Sequence, residues 1–144
     1  MKQFLLLSTC IFLISCSGPK QKSTDQHLLL KTSWLVVSVN EQELSIDPEK
    51  DGLDIPRLEI LVEEMKYSGS DGCNQFMGGL IELDENKLKF GIAAGTRRMC
   101  MEMAIPDLIN LNLPLVNSYE LNEEVLRLFD ADGNEVMLLK KTLN

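Results

Sequence analysis

The sequence predicts an α+β fold, mainly an antiparallel curled sheet or small β-barrel with one short helix. Three observations carry this expectation. Short β-rich runs recur along the chain, separated by Gly, Asp and Asn turns. Only one stretch, residues 101–113, shows helical spacing of its apolar positions. Setting aside the polar and apolar N-terminal segments leaves about 115 residues, enough for one core and too few for two.

The chain opens on a segment with the features of an export signal. Lys2 supplies a positive start, and Phe4 to Leu13 form an apolar stretch interrupted only by Ser8, Thr9 and Cys10. That stretch suits a signal core and falls well short of the ~20 apolar residues that span a bilayer. Leu13-Ile14-Ser15-Cys16 follows and looks like a lipobox, with small Ser15 at the cleavage site and the Cys16 thiol as the atom to be lipidated. Residues 1–15 therefore read as a lipoprotein signal peptide. Residues 16–29 read as a lipidated tether, because Ser17 to Gln26 holds no apolar residue to pack. Several acyl chains on Cys16 would hold the protein on a membrane, each buried CH₂ contributing ~0.8 kcal/mol. Ser17 after Cys16 resembles the outer-membrane-sorted class, so the expected location is the bacterial envelope, at the outer membrane.

The domain proper is read over 30–144. Trp34 to Val39 is a β-rich run with Trp34 in the core, and Asn40 to Glu43 ends it. Asp47 to Asp54 is an acidic loop that lacks the ligand spacing of a calcium hand. Leu58, Ile60 and Val62 alternate with Glu59, Leu61 and Glu63, which predicts a strand with one buried face. A glycine-rich stretch from Tyr67 to Gly79 follows, and strand character resumes at Leu80 to Leu83. After the Asp84-Glu85-Asn86 turn, Leu88, Phe90 and Ile92 alternate cleanly with Lys87, Lys89 and Gly91. Leu108, Leu111 and Leu115 share one face of the expected helix, with Pro106 in its first turn and Pro114 at its far end. Val125 to Phe129 and Glu135 to Leu139 close the domain as a hairpin, with Asp132-Gly133 in its turn.

Charge and residue usage exclude several functions. The chain carries 14 Lys and Arg against 22 Asp and Glu, an acidic balance that disfavours binding to a phosphate backbone and so to nucleic acid. Its only histidine, His27, stands at the end of the tether. A domain without histidine cannot run a Ser-His-Asp or Cys-His mechanism or hold zinc through imidazole. A Ser-x-x-Lys match at Ser17 to Lys20 falls in the tether, and no carboxylate pair stands out. No catalytic residue, metal or cofactor is expected, and the chain is not expected to be an enzyme.

Two segments carry more than propensity. The first is Ser68-Gly69-Ser70-Asp71-Gly72-Cys73-Asn74-Gln75-Phe76-Met77-Gly78-Gly79, and the second is Gly95-Thr96-Arg97-Arg98-Met99-Cys100. Together they resemble the META domain family, which includes the heat-shock protein HslJ. Trp34-Leu35-Val36 is similar to that family's opening strand, and Leu126 to Asp130 with Gly133 to its closing hairpin. The resemblance runs from about Leu30 to Lys141. It departs at Ile105 to Leu113, where two asparagines and flanking prolines replace an acidic and aromatic pattern.

Within these segments Cys73 and Cys100 are a candidate disulfide, which would stabilise by ~2–4 kcal/mol. The other reading is two small buried thiols. Gly72 and the Gly78-Gly79 pair are expected to serve the backbone by positive φ or a bulge, and Asn74 to cap the turn. Thr96 and Arg97 are expected to hydrogen-bond back to the hairpin. Gly72, Asn74, Thr96 and Arg97 are also the candidate binding residues, with Arg97 or Arg98 facing an anionic group. The resemblance implies a protective role in envelope stress, as for HslJ in heat shock and novobiocin resistance. The expected partner is an envelope protein or a small ligand at a barrel end. The alternative is an inhibitor-like or accessory lipoprotein acting on a secreted enzyme through a protruding Gly72-Cys73-Asn74 loop.

Overall fold

The computed structural model describes residues 30–142. The expected signal peptide, the expected lipidation site Cys16 and the expected tether lie outside the described residues. Among those described, no helix is long and apolar enough to cross a membrane.

Among the described residues nine strands form one wholly antiparallel sheet: β1 (Ser33–Val39), β2 (Gln42–Glu43), β3 (Arg57–Leu61), β4 (Lys66–Ser70), β5 (Gln75–Leu83), β6 (Leu88–Gly95), β7 (Ser118–Leu121), β8 (Val125–Phe129) and β9 (Glu135–Lys141). Their spatial order is β6-β5-β4-β3-β1-β9-β8-β7, with β2 paired beside β1. The first strand is thus the centre, and two meanders grow from its two sides. The sheet curls until its outermost strands meet. Lys87 and Ser118 form a bridge there, and the Tyr119 N–H donates to the Asn86 carbonyl at 3.1 Å. The result is a curled half-barrel joined at one point, as the residue pattern predicts.

The core follows from alternation. Trp34, Leu58, Ile60, Leu126, Leu128 and Leu139 are buried on the concave face, each such side chain contributing roughly 1.5–3 kcal/mol relative to exposure. The Trp34 indole donates to the Leu30 carbonyl at 3.3 Å, so its one polar atom is satisfied in the core. Glu82 stands opposite Lys89 across β5 and β6 and pairs with it at 2.9 Å.

The acidic loop at 47–54 contains a helical turn, α1 (Pro48–Asp51). Its cause is local: the Asp47 carboxylate accepts from the Glu49 N–H, Pro48 fits the first position, and Gly52 closes the turn at φ 65°. The glycine-rich stretch is two strands rather than a loop, since β4 and β5 occupy it with a four-residue turn between them. A Cβ on Gly78 would sit 2.6 Å from the Tyr67 ring, so the glycine makes room for the ring. β7 has little sequence signal, because only Tyr119 of its four residues is buried.

Two burial expectations are corrected. Leu88 and Phe90 are buried, but Ile92 is 97 % exposed. Register shifts between Gly78 and Leu80, and again before Glu82, mark bulges that change which face the rest of β6 presents. The helix forms as α2 (Ala104–Asn112), but its buried face holds Pro106, Ile109 and Asn112, continuing to Leu113. Leu111 and Leu115 face outward. Pro114 lies inside a 3₁₀ turn (Leu113–Leu115) that extends the helix.

Candidate functional site

The two motif segments meet at the end of β4. Ser70 closes that strand, and Asp71 follows as a residue only 1 % exposed. One carboxylate oxygen accepts the backbone N–H groups of Cys73, at 2.8 Å, and Asn74, at 2.6 Å. The other accepts from the Asn110 amide of α2 at 2.7 Å. Asp71 therefore shapes the Gly-Cys-Asn turn and pins the helix to it, an Asx turn whose remaining oxygen reaches across the fold. Sequence reasoning gave the turn to Asn74 and missed Asp71. The signal was present, since Asp followed by Gly at a strand end is a standard Asx-turn pattern.

Gly72 holds φ 100°, as expected, and its carbonyl accepts the Asp54 N–H at 2.8 Å. A Cβ there would lie 3.0 Å from the Asp54 carbonyl oxygen, so both conformation and space call for glycine.

Asn74 does not cap its own turn. Its side chain spans to the segment after β6. The amide oxygen accepts from the Thr96 hydroxyl at 2.9 Å and the Arg98 N–H at 2.6 Å. The amide nitrogen donates to the Arg98 carbonyl at 3.3 Å. Thr96 completes the clasp: its N–H donates to the Gln75 carbonyl at 3.0 Å, and its hydroxyl accepts the Gln75 N–H at 3.2 Å. Cys73 and Cys100 are joined as a disulfide, with Cα atoms 6.0 Å apart, inside the range that a bridge spans.

The structure thus brings together Gly72, Cys73, Asn74, Thr96 and Cys100. Arg98 joins them through its backbone. The expected hydrogen bond from Arg97 is not found: among the described residues neither arginine side chain makes a hydrogen bond or ion pair. The polar groups of the clasp spend their capacity on one another. Asp71 is an acceptor already holding three donors, and Asn74 uses both ends of its amide. Such a cluster fixes backbone and offers no activated nucleophile or general base. Among the described residues no group of three or more His, Cys, Asp or Glu could hold a metal ion.

A second feature lies beside the clasp. A cavity of about 430 Å³ opens between the outer edge of β6 and the end of α2, lined by Tyr67, Phe90, Ile92, Leu113 and Pro114, among others. Tyr67 marks its inner end, donating its hydroxyl to the Gly91 carbonyl at 2.7 Å. Burial pushes this phenol above its ordinary pKa, which keeps the hydroxyl protonated as that donor. Phe90 packs edge-on to the Tyr67 ring, with centroids 4.8 Å apart. Exposed Ile81 and Ile92 stand at the mouth. Sequence alternation placed Ile92 in the core, which hid this opening.

Comparison with solved structures finds the same fold at low identity. One protein solved by NMR is 24 % identical, with a TM-score of 0.61 over 81 % of this chain and 93 % of that one. An NMR structure from Burkholderia xenovorans is 18 % identical, with a TM-score of 0.60 over the whole of both chains. A DUF4847 family protein from Bacteroides vulgatus is 13 % identical, with a TM-score of 0.54 over 83 % of this chain and 99 % of that one. No match is found among curated protein sequences. The META domain model matches residues 26–142, spanning both clasp segments and every strand, and the chain belongs to the META domain family.

Proposed function

We propose that this chain is a lipid-anchored, non-catalytic binding module of the bacterial envelope with an HslJ-like protective role in envelope stress. The observation that carries the reading is the division of labour between the clasp and the cavity. The polar motif groups are consumed by one another, whereas the apolar cavity beside β6 has two large side chains, Ile81 and Ile92, exposed at its mouth. A volume of this size falls within the range of small-ligand sites. The Leu13-Ile14-Ser15-Cys16 sequence supports lipid anchoring. An accessory role through the Gly72-Cys73-Asn74 loop needs that loop to protrude, and Cys73 is only 5 % exposed.

Two experiments test the reading. In a bacterial host, labelled palmitate is expected on the wild-type chain and absent from Cys16→Ser; label retained on Cys16→Ser contradicts the anchor. A strain lacking the gene is expected to be sensitised to heat and novobiocin. Complementation by wild type and failure by Ile92→Glu, at equal folded protein level, support binding at the cavity. Full rescue by Ile92→Glu contradicts it.

A further inference from the structure

The sheet has two outer strands, β6 and β7, and they are protected unequally. β7 is four residues long and carries Glu120, the short, charged form that keeps an edge from pairing. β6 meets the chain around β7 only at its start, through the Lys87–Ser118 bridge and the Leu88 N–H, which donates to the Asn117 carbonyl at 3.4 Å. Its second half, residues 92–95, reads Ile-Ala-Ala-Gly, holds neither charge nor proline, and is exposed at every position.

The ladder's phase fixes which backbone groups this edge offers. The Thr96 N–H donates to the Gln75 carbonyl at 3.0 Å, and Ala94 stands opposite Met77. In an antiparallel ladder opposed residues exchange both bonds at every second pair. Thr96 and Ala94 therefore bond toward β5, and Ala93 and Gly95 turn their N–H and carbonyl groups outward. Nearer the start of β6, the Gly91 carbonyl is taken by the Tyr67 hydroxyl at 2.7 Å. Ala93 lines the cavity together with Leu113 and Pro114, so the open edge is one wall and the end of α2 the other. An extended chain brings its own N–H and carbonyl groups at the matching spacing, whereas a small apolar molecule leaves this edge bare. Charge narrows the choice further. Lys89 is held by Glu82, but Arg97 and Arg98, just past the strand end, are exposed and make no side-chain hydrogen bond or ion pair among the described residues. A second copy of this chain would set Lys89, Arg97 and Arg98 of both copies along one shared ladder, like charge against like.

We propose that residues 92–95 of β6 take up an extended segment of another polypeptide as an added strand, a segment apolar at alternate positions and acidic at the end beside Arg97. This inference rests on the cavity being the binding site and names the class of its partner. Main-chain bonds to Ala93 and Gly95 hold the segment, its apolar side chains cover Ile92 and the cavity, and the arginines set its direction.

The test titrates the full chain, disulfide intact, with the acetylated peptide Asp-Asp-Val-Thr-Val-Thr-Val-Thr, whose acidic N-terminus suits antiparallel addition. Amide hydrogen exchange at Ala93 and Gly95 is expected to slow about tenfold or more on saturation. The same peptide N-methylated at its valines and threonines keeps the side chains but loses their donors, and is expected to bind about tenfold or more weakly. Ala93→Pro removes an outward N–H and spares the β5 ladder, so it is expected to weaken binding by a similar factor at an unchanged fold. Should that variant unfold, Arg97→Glu/Arg98→Glu carries the same test, losing about tenfold for this peptide at low salt and regaining it for one that begins Lys-Lys. Unslowed exchange at Ala93 and Gly95, full affinity for the N-methylated peptide, or pairing of two copies without peptide would each overturn the proposal. Binding that survives N-methylation but is lost in Ile92→Glu would remove the added strand and leave the cavity reading standing.

Discussion

The two meanders that grow from β1 reach the same ladder by different means. On one side β7, β8 and β9 are joined by turns that act locally. Asn122 accepts the Glu124 and Val125 N–H groups, and Asp130 accepts those of Asp132 and Asn134, all from exposed side chains. On the other side β3 to β6 depend on exceptions: glycines under aromatic rings, a crosslink, and side chains that bond residues more than twenty positions away. The first side is held by neighbours in sequence and the second by neighbours in space. Losing a turn residue costs one turn, whereas losing a clasp residue loosens two strands and a helix at once.

Matched substitutions on the two sides sharpen that contrast. Asp71→Ala leaves the Cys73 and Asn74 N–H groups of the turn without their acceptor and cuts the tie to Asn110, so it is expected to cost about 2–4 kcal/mol in urea unfolding. Asp130→Ala removes the equivalent turn acceptor at an exposed site and is expected to cost under about 1 kcal/mol. Equal costs would break the comparison. Replacing Cys73 and Cys100 together by alanine is expected to cost ~2–4 kcal/mol, read in the same way against the oxidised wild type. Gly78→Ala drives a methyl into the Tyr67 ring and is expected to cost about 1–3 kcal/mol by overpacking. Thermal unfolding of that variant should also show that adding Tyr67→Leu recovers part of the loss.

A smaller effect acts on the other side. Burial, with Asp84 and Glu85 adding to it, pushes the Tyr119 phenol up to about 12. A group whose proton is held more tightly in the folded state gives stability that is fully present below its unfolded pKa, about 10. That contribution is lost as pH rises through the folded value. Stability should therefore fall between about pH 10 and about pH 12. Tyr119→Phe is expected to flatten this decline, at the cost of the 3.1 Å bond to the Asp84 carbonyl, when unfolding is followed across that pH range. A decline unchanged by Tyr119→Phe would assign it to other groups.

The same division explains what the sequence made legible. β3 and β8 announce themselves because each keeps a period of two over one buried face, and β1 does so over most of its length. Ile92 misled because bulges in the β5–β6 pair shift the phase of β6, and a bulge has no period to detect. The α2 face misled because leucine spacing favours Leu111 and Leu115, whereas tertiary packing buries Pro106 and Asn112 instead. In the site, Gly72, Asn74, Thr96 and the two cysteines were recognisable as residue types that turns and crosslinks need. Asp71 has a local signal as an Asx turn, whereas its tie to Asn110, 39 positions away, has none.

The central claim is that the two-segment motif of this chain is a clasp rather than a ligand site. A double-mutant cycle on Asn74→Ala and Thr96→Ala, read by urea unfolding, tests it most directly. A clasp requires each single variant to cost about 1–3 kcal/mol, with a coupling of at least roughly 0.5 kcal/mol between them. Residues held ready for a ligand would leave stability within about 0.5 kcal/mol of wild type, singly and together, and that result would contradict the claim.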